Sequence, residues 1–201
     1  SKIPQFLSFM NTPILKAKKG KQEKLFYYDN EYQTWKQGKT GWTVKYYKGL
    51  GTSTAKEFKE YFKHQKKVVF EYDSDKCDKA LDMVFNKKKA DERKEWLGSY
   101  DKTNIIDTDT PAITFDTFVN KELIHYSKYD NERSLPNIID GLKTSQRKIL
   151  YAAFKRNLVS EIKVAQFGGY ISEHSGYHHG EASLMKAIVG MAQEFTGANN
   201  I

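Results

Sequence analysis

The stretch WTVKYYKGLGTSTAKEFKEYF, residues 42–62, decides the fold of the first part of this chain. Residues 42–47 alternate in the manner of a β-strand and run directly into the loop that holds Gly49 and Gly51. Glycine is the residue that most readily lets a chain change direction after a strand. The stretch therefore predicts a strand that ends in a glycine loop.

A helix start follows the glycine loop. Thr54 with Glu57 three residues later is the capping-box pattern, in which each side chain bonds the backbone amide of the other residue. The apolar stripe of this helix consists of Phe58, Tyr61 and Phe62. Residues 68–72 then form a second β-rich run. Strand, loop, helix and strand together predict an α/β unit.

Further elements extend outward from this unit. The pattern in residues 5–15 indicates backbone entering a sheet, residues 24–28 a strand and residues 30–36 a short helix. Residues 75–99 are helical and rich in charge. In residues 100–111 the pattern dissolves into Asp, Thr and Asn, so we expect the domain boundary there.

The second half of the chain is predicted to be nearly all helix. Apolar residues recur at helical spacing in residues 115–126, 143–154 and 180–195. A further helix over residues 164–172 is expected to be interrupted at Gly168-Gly169. Short helices with tight links are typical of a helix-turn-helix or winged-helix module.

The charge of the chain favours a polyanionic partner. The 201 residues carry a formal charge of +8, and residues 1–71 hold fifteen lysines against six acidic residues. A basic chain rich in Tyr and Phe is typical of nucleic-acid binding, although lysine-rich surfaces also serve solubility alone. The single cysteine, Cys77, excludes an internal disulfide and fits a reducing compartment.

The ends of the chain indicate an excerpt of a longer polypeptide. The sequence opens at Ser1 without a methionine and stops at Ile201 without a polar tail. No apolar run approaches the length that crosses a membrane, and the N-terminus lacks a signal-peptide core. We therefore expect no membrane partner.

The glycine loop has two interpretations. Gly49-Leu50-Gly51 before a helix could let backbone amides approach a phosphate, with Lys48 beside them. The loop lacks both the GK[ST] ending of a Walker A motif and the third glycine of the dinucleotide fingerprint. A plain tight turn is therefore the favoured interpretation.

Residues 143–148, KTSQRK, place hydroxyl groups and three cations in the first turns of a helix. Thr144 or Ser145 is expected to cap this helix. Cations at a helix N-terminus oppose the helix macrodipole, which favours a bound anion beside them. A solvated basic face is the alternative.

His174, His178 and His179 lie close together in the sequence. A structural zinc site is a weak interpretation, because no cysteine pair accompanies them and adjacent histidines cannot easily ligate one ion. Positioning or polarising a phosphate oxygen is favoured. It stays open whether one histidine of the adjacent pair is purely structural.

An ordered series of motifs resembles the DNA-cleavage core of eukaryotic-type (type IIA) DNA topoisomerase II. The motifs are YYKGLGTS at 46–53, KKKADERKEWL at 87–97, RSLP at 133–136, DGLK at 140–143, QRK at 146–148, KVAQ at 163–166, YHHGE at 177–181 and ANNI at 198–201. Bacterial gyrase-type enzymes carry a proline between the two histidines and split this region over two polypeptides. The contiguous pair and the single chain resemble the eukaryotic or large-DNA-virus form.

The resemblance implies an α/β part followed by a mainly α part. Residues 1–72 would be the C-terminal part of a Rossmann-like TOPRIM domain. Residues 73–110 would be a helical connection and linker. Residues 111–201 would be the winged-helix (helix-turn-helix) DNA-binding domain that seats the gate DNA, truncated before the catalytic tyrosine.

The enzyme implied by the resemblance cuts both strands of double-stranded DNA through a transient phosphotyrosine link, passes a second duplex and reseals the break. It uses Mg²⁺ and ATP, both bound outside this segment, and works as a homodimer. Its location would be the nucleus, or the host-cell cytoplasm for a large DNA virus. None of the thirteen tyrosines follows an arginine as the family nucleophile does, so the fragment alone is expected to bind duplex DNA without cleaving it.

The resemblance also assigns roles to individual residues. His178 or His179 would stabilise the attacked phosphate, with Arg133 in support. The positions expected to face DNA are Lys48, Lys143, Arg147, Lys148, Lys163 and Gln166, of which the last two are the weaker assignments. No metal ligand is expected within the chain.

Two other functions stay open on the residues alone. The first is a non-catalytic winged-helix module that only binds DNA. The second is an α/β nucleotide binder that uses the loop at residues 48–53.

Overall fold

The computed structural model describes residues 3–47, 50–107, 109–177 and 179–195. The predictions made for Lys48, Gly49, His178 and residues 198–201 fall outside these ranges. The chain divides into two compact units between Tyr126 and Ser127.

Among the described residues, the first unit holds two three-stranded sheets. Their strands are β1 (Ser8–Met10), β2 (Leu15–Lys19), β3 (Gln22–Phe26), β4 (Thr43–Tyr46), β5 (Lys67–Glu71) and β6 (Ala112–Thr114). One sheet has the order β3-β2-β4 and is antiparallel throughout. The other has the order β1-β5-β6, with β1 antiparallel and β6 parallel to β5. The predicted mixture of strands and helices is confirmed for this unit.

The sheet β3-β2-β4 is held by a small aromatic core. Leu15 is fully buried in β2, and Phe26 of β3 lies beside it. The ring of Phe26 lies 5.1 Å from that of Trp35, which makes an edge contact with Trp42 at 4.8 Å. Aromatic pairs at these separations add to the stabilisation from burial. The sheet and the short helix α1 (Asp29–Trp35) therefore pack as one layer.

Helix α2 (Ala55–Lys63) begins where the capping box predicts. The Glu57 N–H donates to Thr54 Oγ1 at 3.3 Å, and the Thr54 N–H donates to Glu57 Oε2 at 2.8 Å. The same carboxylate accepts hydrogen bonds from Lys45 Nζ at 2.8 Å and Tyr47 Oη at 2.7 Å. Burial alone would raise the pKa of Glu57, but these donors outweigh it and lower the pKa to about 2. Glu57 therefore joins α2 to β4 as an anion.

The rest of the first unit is mainly helical. Its helices are α3 (Asp75–Phe85), α4 (Ala90–Gly98) and α5 (Phe115–Phe118), and a π-helical segment, Val119–Leu123, joins α5 to α6 (Ile124–Ser134). The stretch predicted as helical over residues 75–99 is thus divided into two helices. Arg93 of α4 donates to the carbonyls of Met83 and Asn86 at 2.9 and 2.6 Å, and so fixes the end of α3 against α4.

The first unit continues past the polar loop at residues 100–111. Strand β6 pairs with β5, and the Val69 N–H donates to Pro111 O at 2.9 Å. Ile106 from the loop and Ile113 from β6 are buried in the same cluster. The composition of a loop carries no information about the strand pairing that follows it. For this reason the division of the chain lies at residue 126 and not in the loop.

The compact units therefore differ from the ranges 1–72, 73–110 and 111–201. The assignment of those ranges to the TOPRIM domain, the connection and the winged-helix domain stays a prediction. The structure adds that residues 112–114 belong to a sheet of the first unit.

The second unit is built from helices. After the end of α6 come α7 (Thr144–Arg156), α8 (Val164–Ser175) and α9 (Glu181–Ala192). Their shared core consists of Ile149, Ala152, Phe167, Ile171, Tyr177, Leu184, Ile188 and Met191. Among the described residues of this unit there is no β-strand, so the mainly α prediction is confirmed while the winged-helix assignment stays a prediction. None of the helices in the described part of the chain has the length and hydropathy that spanning a bilayer requires.

Helix α8 continues through Gly168 and Gly169 without a break, so the predicted interruption is wrong. Phe167 and Ile171 of the same helix are buried in the core. Burial of two such side chains stabilises by about 3 to 6 kcal/mol. This exceeds the cost of about 1 kcal/mol that each glycine imposes on a helix. Packing therefore overrides local propensity here.

Candidate nucleic-acid interface

Helix α7 begins at Thr144, with Lys143 as its N-cap residue. The Lys143 N–H donates to Gln146 Oε1 at 2.9 Å, and Thr144 Oγ1 donates to Glu132 O at 3.1 Å. The prediction that Thr144 or Ser145 caps the helix is therefore wrong, because the Thr144 hydroxyl ties α7 to α6 instead. Lys143 keeps an exposed side chain at the positive end of the helix, where an anion is stabilised.

Arg147 is engaged within the chain. Its Nε and Nη2 donate to the Asp140 carboxylate at 2.9 and 2.8 Å, and Nη2 also donates to Leu142 O at 3.2 Å. The hydrogen bond from the Leu142 N–H and the contact with Arg147 lower the pKa of Asp140. An anion was expected beside the cations of this helix start. For Arg147 the chain supplies that anion itself.

The loop between α6 and α7 is closed by its own hydrogen bonds. The Gly141 N–H donates to Asn137 O at 2.8 Å, and Gly141 has a φ of 69°, in the left-handed region that favours glycine. The loop exposes Ile138 and Ile139, whose side chains are 100% and 92% accessible. This is the loop that Arg147 holds.

Lys148 fixes the turn that precedes the histidines. Its Nζ donates to Gly176 O at 3.1 Å, and Gly176 ends α8 with a φ of 60°. The ammonium group has three donors. Lys148 can therefore hold this turn and still donate to a further anion.

Lys163 and Gln166 lie at the opposite end of α8. Lys163 is the N-cap residue of this helix, Gln166 lies in its first turn, and both side chains are exposed. The turn that leads to His179 follows the C-terminal end of the helix, about 18 Å away at 1.5 Å per residue. The structure therefore places these two residues at a distance from the histidine.

Around His179 lies a group of side chains that we call the histidine cluster: Tyr129, Arg133, Tyr177 and His179. Tyr129 Oη lies 2.9 Å from His179 Nε2. The guanidinium carbon of Arg133 lies 5.7 Å from the centroid of the Tyr129 ring, and the Tyr177 ring meets the His179 ring edge-on at 5.6 Å. The cluster thus brings together Arg133 and His179, both predicted to act on a phosphate.

The cluster is anchored in the core by Tyr177, which is only 7% exposed. Burial raises the pKa of Tyr177, and the positive charge of Arg133 opposes that rise. Arg133 also donates to Asp130 Oδ1 at 3.2 Å, and both partners of this pair are 42% exposed. Arg133 is therefore a solvent-accessible cation with defined neighbours.

Tyr129 is the residue of this cluster that sequence reasoning missed. It lies four residues before Arg133 in α6, a spacing that places two side chains on the same helix face. This spacing from a residue already assigned to phosphate is the signal that could have found it.

His174 lies outside the cluster. Its ring lies 4.1 Å from that of Tyr170, and its Nε2 lies 3.8 Å from Glu173 Oε2. Within the ranges that the structure describes, no group of three or more His, Cys, Asp or Glu side chains is placed to hold a metal ion. His178 and Lys48 are outside those ranges.

Two family models match the chain in succession. The model of the C-terminal associated domain of TOPRIM matches residues 10–131, and a model of DNA gyrase/topoisomerase IV matches residues 133–201. One match gives way to the other within α6, close to the division of the compact units. Together with the basic helix starts and the histidine cluster, these matches define a DNA topoisomerase.

Relatives and a solved structure make the assignment more specific. DNA topoisomerase 2 of Plasmodium falciparum is 52% identical over 201 residues, that of Arabidopsis thaliana 50% over 209, and human DNA topoisomerase 2-beta 46% over 213. These alignments cover 98%, 99% and 98% of this chain. The crystal structure of the Plasmodium falciparum topoisomerase II DNA-binding, cleavage and re-ligation domain matches 100% of this chain and 28% of its own, with a TM-score of 0.79 and 51% identity.

The chain belongs to the type IIA DNA topoisomerase family. Within that family it is similar along nearly its whole length to the DNA topoisomerase 2 proteins of eukaryotes. It spans only 14% of the length of the Plasmodium and Arabidopsis relatives and 13% of the human one.

Proposed function

We propose that the chain is the DNA-gate segment of an ATP-dependent type II topoisomerase that cleaves, passes and reseals double-stranded DNA through a phosphotyrosine intermediate. The histidine cluster is the observation that carries this proposal, because Arg133 and His179 both contact Tyr129 there. A cation and an imidazole with a common support suit a phosphodiester. Phosphoryl transfer depends mainly on positioned charge and hydrogen-bond donors.

In this proposal His179 donates a hydrogen bond to an oxygen of the attacked phosphate, and Arg133 offsets the negative charge that builds there. His178, its neighbour in the sequence, is the other candidate for the same contact. The nucleophilic tyrosine comes from outside this chain. The work of the segment is therefore to hold the phosphate and its charge.

The duplex backbone is held by cations of the same unit. Lys143 and Lys163 are exposed N-cap residues, and each adds a charge to a helix end that already favours anions. The further contacts proposed are those of Lys48, Arg147, Lys148 and Gln166. Such contacts position DNA without reading its sequence.

The family's domain plan and cofactors belong to the same proposal. Residues 1–72 are the C-terminal part of the TOPRIM domain, and residues 111–201 belong to the winged-helix domain. Mg²⁺ and ATP are bound outside this segment, and Mg²⁺, when bound, stabilises charge on the phosphate as a Lewis acid. The whole enzyme is a homodimer that works in the nucleus, or in the host-cell cytoplasm if a large DNA virus encodes it.

The test uses the longer polypeptide that carries this segment, incubated with duplex DNA, Mg²⁺ and ATP. We expect covalent protein–DNA adducts after denaturation and ATP-dependent transport of one duplex through another. DNA binding without adducts would contradict the proposal and would favour a non-catalytic winged-helix module, the second function that the basic helix starts support. Protection of residues 48–53 from proteolysis by ATP alone would favour a nucleotide binder instead.

A further inference from the structure

Tyr129 connects helix α6 to the segment that precedes α9. Its hydroxyl oxygen lies 2.9 Å from His179 Nε2, while the two rings are 6.1 Å apart and inclined at 36°. The contact between the two residues is therefore a hydrogen bond rather than ring stacking. Tyr129 is 41% exposed, so it lies at the surface on which a DNA phosphate would arrive.

This hydrogen bond constrains the protons of His179. A neutral tyrosine hydroxyl donates to Nε2 of a neutral imidazole when the imidazole proton lies on Nδ1. When the imidazole is charged, Nε2–H donates to the tyrosine oxygen and Nδ1 again carries a proton. In both arrangements the ring has a fixed orientation and presents a donor, which is what an oxyanion requires.

The same tyrosine also supports Arg133 through its ring. The guanidinium carbon lies 5.7 Å from the ring centroid, a separation at which a cation is attracted to an aromatic face. The hydroxyl of Tyr129 therefore serves His179, and its ring serves Arg133. Replacement of the tyrosine by phenylalanine separates these two roles.

We propose that Tyr129 is a positioning residue of the phosphate site, which sets the orientation and the protonated nitrogen of His179 through its hydroxyl. The proposal rests on the proposed function, in which His179 contacts the attacked phosphate. Tyr129 itself performs no step of the reaction. Its effect is expected in the rate of cleavage and not in the strength of DNA binding.

The experiment measures single-turnover DNA cleavage and duplex affinity in the full enzyme that carries this segment. Tyr129→Phe should slow cleavage by roughly tenfold, the equivalent of one lost hydrogen bond, and should change the duplex Kd by less than about twofold. Tyr126→Phe is the matched control, since Tyr126 is a tyrosine of the same helix that is 62% exposed. The control should behave as the wild type does.

A double-mutant cycle adds a readout that a merely structural role would not change. In the His179→Ala background, Tyr129→Phe should have no further effect on cleavage, because the hydroxyl has lost the group that it positions. In the background with His179 intact, Tyr129→Phe should also shift the pH–rate profile of cleavage, since it removes a hydrogen bond to a titrating ring. Effects that simply multiply in the cycle, or a pH profile identical to that of the wild type, would overturn the inference.

The two proposals fail in different ways. If His179→Ala leaves cleavage unchanged, the proposed function of the cluster is lost, and the inference about Tyr129 is lost with it. If His179→Ala abolishes cleavage but Tyr129→Phe has no effect, only the inference about Tyr129 is overturned.

Discussion

Arg147 holds Asp140 through hydrogen bonds of 2.9 and 2.8 Å and donates a further one to Leu142 O at 3.2 Å. The planar guanidinium matches the carboxylate in the bidentate manner that lysine cannot reproduce. The arginine that the motif assigns to DNA therefore also fixes the loop before its own helix. Its removal is expected to affect both stability and binding.

Arg147→Ala should lower the free energy of unfolding by about 0.5 to 1 kcal/mol, a modest amount because solvent screens a surface pair. The two side chains are 43% and 37% exposed. Asp140→Asn should cost a similar amount, whereas Lys155→Ala at the far end of α7 should cost less. Urea unfolding measures these differences. A wild-type stability for both Arg147→Ala and Asp140→Asn would show that the pair does not hold the loop.

The same pair of variants should separate in DNA binding. Arg147→Ala should reduce the slope of log K against log salt by about one unit, because one phosphate contact is lost. Asp140→Asn retains the cation and should not reduce the slope. Titrations of duplex DNA at several salt concentrations provide the measurement. An unchanged slope in Arg147→Ala would restrict Arg147 to the loop.

Lys143 and Lys163 are expected to contribute to binding equally on all DNA sequences. Alanine at either position should weaken duplex binding and reduce the salt slope by about one unit. Both lysines are exposed N-cap residues, so their replacement should leave the fold intact. Sequence-dependent losses would contradict a pure phosphate contact.

Gly169→Ala should stabilise the protein by about 0.5 to 1 kcal/mol, because alanine favours the helix that this residue occupies. Gly169 is exposed, and a Cβ built there meets no described atom within 4 Å. Gly168→Ala is the companion variant, since its Cβ would lie 3.9 Å from Leu184 Cδ2, at ordinary contact distance. Thermal unfolding measures both. Destabilisation at both positions would indicate that α8 is broken there, as the sequence alone suggested.

Glu57 should support stability at neutral pH and lose that support in acid. Its pKa in the folded chain is lowered to about 2 from an ordinary value of 4.5, so the unfolded chain takes up the proton first as the pH falls. The stabilisation is therefore complete above pH 4.5 and is lost as the pH falls through about 2. Glu57→Gln should cost roughly 1 to 3 kcal/mol at pH 7, and the difference should shrink with acid. A difference independent of pH would show that charge is not the cause.

Local signals predicted much of the first unit. The capping box of Thr54 and Glu57 placed the start of α2 correctly because both partners lie within one turn of the chain. The pairing of β6 with β5 could not be predicted in this way, since the strands are separated by two helices and a polar loop. The boundary expected in that loop was therefore displaced by a contact distant in sequence.

The candidate site was predicted in part for the same reason. The motifs supplied Arg133 and His179, which the structure brings into one cluster. They did not supply Tyr129, because its partner lies fifty residues away in the sequence. They also could not show that Arg147 is held by Asp140, since a motif records residue types and not the contacts between them.

The most direct test compares His179→Ala and Arg133→Ala with the wild type in the full enzyme, with single-turnover cleavage and duplex affinity measured on the same DNA. We expect His179→Ala to slow cleavage by about 100-fold or more, as loss of a donor to developing charge does, while the duplex Kd changes by only a few fold. Arg133→Ala should slow cleavage and also weaken binding, because its cation acts on the phosphate in both states. Equal losses of cleavage and binding in His179→Ala, or no loss of either, would contradict the claim that the histidine cluster acts on the attacked phosphate.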